Sequence, residues 1–114
     1  MGEPSQLERI QATLRVFSVD RDWARFLTPK NLAMALNVEA AELLELFQWL
    51  TPEESDAFGD HLPRQRVEEE MADVLIYLLN LAERLDVDLL AAAERKIEVN
   101  ARKYPVPEDD SANS

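Results

Sequence analysis

The chain has 114 residues and a formal net charge of -11. That length suits one domain, and a surface this acidic repels nucleic-acid phosphates, which argues against DNA or RNA binding. With no cysteine there is neither a disulfide framework nor a thiolate metal site. Hydrophobic residues make up 46% of the chain, enough for a core, while glycine occurs twice and no alternating Val/Ile/Thr run is present, so an all-α fold is expected. No segment has the length and apolarity of a membrane span. Met1-Gly2-Glu3-Pro4 lacks the basic and apolar regions of a signal peptide, so a cytoplasmic location is expected.

A first helix is expected from about Ser5 to Val19, with Leu7, Ile10, Leu14 and Phe17 on one face. Asp20-Arg21-Asp22-Trp23 is a polar break carrying one large aromatic. Thr28-Pro29 opens a second helix, threonine as N-cap and proline in the first turn. Its stripe is Leu32, Leu36, Leu43, Leu46 and Leu50, and Thr51-Pro52 ends it. Pro52 to Pro63 reads as a loop with room for one short helical turn.

A third helix covers about Arg64 to Leu85, with a stripe of Val67, Met71, Val74, Leu78, Leu81 and Leu85. Between Val74 and Ala82 it is apolar nearly all round, as expected of a central helix or a subunit interface. Asp86 is expected to cap a fourth helix, about Val87 to Tyr104, ended by Pro105. The reading is one domain over residues 1–106, a four-helix bundle-type protomer, with an acidic, disordered tail over 107–114. A chain this small cannot cover both faces of the third helix, so a homo-oligomer is expected.

Two acidic pairs interrupt the apolar stripes. Residues three apart on a helix are surface neighbours, so Glu39 and Glu42 can point one way, as can Glu70 and Asp73. Glu39 falls in the middle of the arc of Leu32, Leu36 and Leu43; Glu42 lies on its shoulder. Glu70 flanks the stripe of the third helix, and Asp73 lies beside Tyr77. A short connection favours antiparallel packing, which lets all four meet. A lone E-x-x-E is usually a solvated face, and 23 acidic residues make chance pairs common. Placement on an apolar arc, twice, points instead to a bound cation, because a buried carboxylate is costly without one. All-oxygen ligation suits a hard ion, Mg²⁺ or Mn²⁺. No E-x-x-H motif is present and the single histidine, His61, falls in a loop, which counts against a di-iron carboxylate bundle.

Along the fourth helix Lys96, Asn100 and Lys103 recur at four and three residues, so they line one side. Two ammonium charges and an amide donor suit phosphate oxygens. An ordinary solvated face would show the same row.

Glu39-x-x-Glu42 and Glu70-x-x-Asp73 resemble the paired metal motifs of the MazG-like all-α nucleotide pyrophosphohydrolases. Arg21-Asp22-Trp23, Thr28-Pro29-Lys30-Asn31-Leu32, Glu45-Leu46-Phe47-Gln48-Trp49, Asp73-Val74-Leu75-Ile76-Tyr77-Leu78 and Lys103-Tyr104-Pro105 resemble the branch that contains the dCTP pyrophosphatases. The likeness runs from about Leu7 to Val106. It implies Mg²⁺-dependent hydrolysis of a nucleoside triphosphate, dCTP or a modified pyrimidine deoxynucleotide, to the monophosphate and pyrophosphate, by a dimer or tetramer. It implies Glu39, Glu42, Glu70 and Asp73 as metal ligands and catalytic acids, and Trp23 and Trp49 as aromatics that hold the base. Tyr77, Lys96 and Asn100 match positions lining the nucleotide site, some reached from a neighbouring subunit. Asn31 and Gln48 are candidates for polar contacts to the base. Two positions depart from the branch: Leu14 and Leu27 stand where histidine is frequent.

Either Glu39 or Glu42 can orient or deprotonate the attacking water. A phosphoribosyl-ATP pyrophosphohydrolase is the second enzymatic reading, opposed by the Trp23 and Trp49 blocks. A non-catalytic helical oligomerisation module with merely superficial acids is the third.

Overall fold

The structure is a computed structural model, described here over residues 2–108. Every regular element among them is helical. α1 spans Gln6–Asp20, α2 Pro29–Phe47, α3 Pro52–Asp56, α4 Arg64–Arg84 and α5 Leu89–Lys103, with a 3₁₀ turn at Phe58–Asp60. The four long helices fall where the sequence predicts them, and α3 supplies the short helical turn expected between the second and third.

Caps set the helix starts. Ser5 Oγ accepts from the Glu8 amide, Thr28 Oγ1 from Asn31, and Asp88 Oδ1 from Ala91. Thr51 and Glu54 form a reciprocal capping box on α3. Asp88, not Asp86, therefore opens α5. Asp86 instead closes α4 in the left-handed region at φ 54. Its amide donates to the Glu83 carbonyl and that of Val87 to Ala82, a Schellman closure. α1 ends the same way: Asp22 at φ 52, its amide on Val19 and that of Trp23 on Ser18. Glycine is the usual residue there, and an aspartate in its place leaves neither motif visible in the sequence.

α2 and α4 pack as an antiparallel pair and carry the core. Leu32 of α2 and Leu79 of α4 are the deepest side chains, joined by Val67 and Ala82. The expected α4 stripe is displaced: Val67 is buried, but Met71 and Leu85 are exposed and Leu79 and Ala82 take the inner face. On a helix apolar nearly all round, periodicity cannot select which oily face meets α2. α1 lies against α4 without a fully buried residue of its own.

α5 has no extensive packing on the other long helices and no buried residue. Leu90, Ile97 and Tyr104 on it are more than half exposed. The radius of gyration is 18.8 Å, against about 13 Å for a compact chain of this length. No helix among the described residues is long and apolar enough to cross a membrane. Of the tail, Pro107 and Glu108 lack regular structure; residues 109–114 lie outside the described residues.

Candidate metal centre

The antiparallel pairing of α2 and α4 decides which carboxylates meet. Leu32 lies opposite Leu79 at one end of the seam. Moving down α2 means moving back along α4, so Glu39 and Glu42 arrive beside Asp73 and Glu70. One oxygen each from Glu39, Glu70 and Asp73 lie within 4.8 Å of one another. Glu42 stands beside both Glu39 and Glu70, near enough to share a proton with either and to raise both. All four acids predicted from the stripes thus form one cluster.

Its electrostatics are unfavourable without a cation. Burial pushes Glu39 above the usual carboxylate range, and a proton shared with Glu42 and the charges of Glu42, Asp73 and Glu70 push the same way. Burial likewise raises Glu70, followed by Glu42 and Asp73, while the Arg66 guanidinium one turn back pulls in the opposite direction. The Oε2 atoms of Glu39 and Glu70 are buried without a hydrogen-bond partner. An orphaned anionic oxygen in that position lacks a counter-charge. Three carboxylate oxygens within 4.8 Å of one another are of the type that a hard divalent ion takes as ligands. The donor set fits a divalent cation.

Other acids nearby are spent elsewhere. Glu68 pairs with Arg64 at 3.2 Å and Glu69 accepts from Gln65 at 3.1 Å, both in solvent. His61 lies 3.9 Å from Glu54 of the α3 capping box, away from the cluster.

The remaining candidates are dispersed. Tyr77 is half-buried one turn beyond Asp73 on α4. Asn31 sits in the first turn of α2, where its side-chain amide donates to the Phe26 carbonyl at 2.8 Å. Trp23 packs edge-on against Phe17, ring centroids 5.2 Å apart, in the loop before α2. Trp49 is 86% exposed just past the other end of α2, and Gln48 is the C-cap residue beside it. Nineteen residues of helix separate those ends, about 28 Å at 1.5 Å per residue. Trp23 and Trp49 of one protomer therefore cannot touch one base. Lys96, Asn100 and Lys103 are exposed on α5, which is not folded back onto the acidic cluster; Lys103 lies over the Tyr104 ring at 5.3 Å.

Sequence reasoning missed a cavity of about 310 Å³ between α1, the α1–α2 loop and the end of α4. Leu14, Leu27, Leu32 and Leu79 line it together with Asn80, Arg15 and Glu83. Only the Leu14 and Leu27 departures hinted at it, and nothing in their spacing said that they share a wall.

The chain is 47% identical over 105 residues to dCTP pyrophosphatase 1 of Homo sapiens, covering 90% of this chain and 61% of that protein. It is 45% identical over 107 residues to dCTP pyrophosphatase 1 of Bos taurus, covering 92% and 62%. The chain thus spans under two thirds of the length of these relatives. Among solved structures, a pyrophosphatase from Archaeoglobus fulgidus superposes with a TM-score of 0.83 at 42% identity, covering 93% of this chain and 98% of that one. The MazG-like sequence pattern matches residues 34–114, a stretch that contains all four clustered acids and the whole α2–α4 seam below Leu32. On that match the chain belongs to the MazG-like family.

Proposed function

We propose that the chain is a Mg²⁺-dependent nucleoside triphosphate pyrophosphohydrolase acting on dCTP or a modified pyrimidine deoxynucleotide, assembled as a homo-oligomer. The observation that carries the reading is the pair of buried, unpartnered oxygens on Glu39 and Glu70 inside a four-carboxylate cluster. Surface acids on an inert module relax into water; these two oxygens are instead buried without a partner. The names of the relatives support the substrate class.

Glu39, Glu42, Glu70 and Asp73 would hold the metal. When bound, Mg²⁺ neutralises triphosphate oxygens and stabilises the departing pyrophosphate. Glu39 or Glu42 orients a water toward the α-phosphorus and takes its proton. The new bond forms from that water oxygen to phosphorus. The bond to the oxygen bridging the α- and β-phosphates breaks, and that oxygen leaves with pyrophosphate. Tyr77, one turn from Asp73, is placed to fix the sugar end of the nucleotide.

The positive charge comes from Lys96 and Lys103, with Asn100 as amide donor. In one protomer α5 does not fold back onto the acids, and the two tryptophans flank opposite ends of α2. A site that uses all of them takes α5 and one tryptophan from a second copy. The exposed Leu90, Ile97 and Tyr104 support this, since an apolar face of that size needs cover.

The test is pyrophosphate release from a nucleotide panel with Mg²⁺. dCTP is expected to be among the best substrates, and Glu42→Ala and Asp73→Ala are each expected to lose at least about 100-fold in kcat with helicity and oligomer mass unchanged. A wild-type protein that releases pyrophosphate from no nucleotide overturns the reading.

A further inference from the structure

The cavity beside α1 lies on the same seam as the acidic cluster. Leu32 and Glu39 are seven residues apart on α2, and Asp73 and Asn80 seven apart on α4. Seven residues are almost two full turns, so each pair shares a face with an offset of about 10 Å. A nucleotide whose phosphates lie at the carboxylates therefore has a pocket for its base one sugar's length up the seam.

Leu14, Leu27, Leu32 and Leu79, with Val19 and Ala24, form the apolar wall of that pocket. Such a wall accepts the faces of a heterocycle without choosing between bases. Polar side chains come from both helices: Gln11, Arg15 and Ser18 of α1, and Asn80, Glu83 and Arg84 of α4. Asn80 is half-buried in the lining. Glu83, nearly one turn further, holds its Oε1 2.6 Å from Arg15 Nε of α1. Both partners of this pair are about half exposed, so they stand at the mouth. Arg15 holds one carboxylate oxygen of Glu83, and a carboxylate has a second oxygen that can accept. A second clasp, Arg84 donating to the Ala24 carbonyl at 2.8 Å, ties the loop before α2 to the same end of α4.

We propose that this cavity receives the base of the nucleotide and that Glu83, held in place by Arg15, selects bases bearing an exocyclic amino group, with Asn80 reading the adjacent ring nitrogen. The inference rests on the pyrophosphohydrolase reading above. A carboxylate accepts from the amino group of cytosine and opposes the carbonyl that uracil and thymine place at the same position. The Asn80 amide can donate to the neighbouring ring nitrogen of cytosine. It can also turn over to accept from the ring N–H of uracil, so Asn80 strengthens binding while Glu83 discriminates. Leu14 and Leu27 carry no hydrogen-bonding group that could do so.

The experiment measures kcat/KM for dCTP and dUTP in wild type, Glu83→Gln and Asn80→Ala. Wild type is expected to favour dCTP. Glu83→Gln keeps the shape but offers both a donor and an acceptor, so the dCTP:dUTP ratio is expected to fall by roughly tenfold or more, with the change in KM and kcat nearly kept. Arg15→Ala is expected to lower the same ratio and Arg15→Lys to restore most of it. Asn80→Ala is expected to weaken both nucleotides while preserving the ratio. Were the Arg15–Glu83 pair only a brace for α1, Glu83→Gln would weaken both nucleotides equally, and that result overturns the proposal while the pyrophosphohydrolase reading stands. Equal wild-type activity on dCTP and dUTP overturns it too. No release from any nucleotide overturns both.

Discussion

At the scale of single residues, the acids between α2 and α4 are held in a state that costs stability. Glu39 and Glu70 are raised from the ordinary value of 4.5 by burial and by each other's neighbours. The unfolded chain ionises them normally. A raised carboxyl contributes stability that is fully present below pH 4.5 and is lost as pH rises through its folded value. Metal-free protein is therefore expected to lose thermal stability from this source as pH rises above 4.5. Glu39→Gln removes one of the crowded charges, so in EDTA at pH 7.5 it should melt higher than wild type, with the gap closing near pH 4. On the proposed function Mg²⁺ would bind only the folded, ionised cluster, so it should raise the wild-type melting temperature more at pH 7.5 than at pH 5. Scanning calorimetry in EDTA and in Mg²⁺ at the two pH values checks both. An EDTA melting temperature that rises steadily from pH 4 to 7.5 in wild type and not in Glu39→Gln would contradict the sign. Elsewhere, Asp86 occupies a left-handed turn at φ 54 that glycine adopts without steric cost. Asp86→Gly should stabilise the chain by about 0.5–1 kcal/mol, read as a rise of a few degrees in melting temperature.

At the scale of elements, the α2–α4 pair was readable because its signals agree. Thr28-Pro29 marks a start, the leucine arc marks a face, and the acids break that arc at matching heights on both helices. Antiparallel packing then brings Glu39, Glu42, Glu70 and Asp73 together with no further information. What the sequence could not settle was which flank of α4 turns inward. Val74 to Ala82 is apolar on several sides, and Leu79 won the inner position over Met71 because α2 approaches from there. The α4–α5 turn was misread for a related reason. Asp86 and Asp88 are both competent N-caps, and only the Schellman hydrogen bonds of Asp86 and Val87 separate their roles. The cavity under α1 was not legible at all, since it joins Leu14, Leu27 and Glu83 across three elements. α5 is the element with an unanswered demand for burial. Ile97, 67% exposed in the protomer, is the test position. Ile97→Glu should leave α2, α4 and total helicity intact while driving the assembly toward monomers, measurable by sedimentation. A variant that sediments as wild type would remove α5 from the contact between copies.

At the scale of the whole molecule, the protomer resembles part of a larger core. Its accessible surface is 9204 Å² for 13.0 kDa, where a compact monomer of that mass exposes roughly 6,300 Å². The excess is of the size that obligate interfaces bury. Only four residues among those described are fully buried hydrophobics, too few to hold four long helices by themselves. On the proposed function association and catalysis are one problem, because the cations on α5 would reach an acidic cluster by crossing to a neighbour. This has a quantitative consequence. Mix Glu42→Ala subunits with Lys96→Ala subunits, each inactive alone. If acids and cations come from the same chain, every site in the mixture carries a lesion and activity stays at the parental floor. If they come from two chains, a mixed pair has one site with both lesions and one site with neither. Random pairing at equal ratio makes half the pairs mixed, so activity should recover to roughly a quarter of wild type. Recovery must also follow subunit exchange, appearing after brief unfolding and refolding of the mixture and not on simple addition if exchange is slow. Activity that stays at the floor after refolding, with mixed pairs demonstrated by mass, would place Lys96 and Glu42 of one chain at the same site and require α5 to fold back onto its own α2–α4 seam.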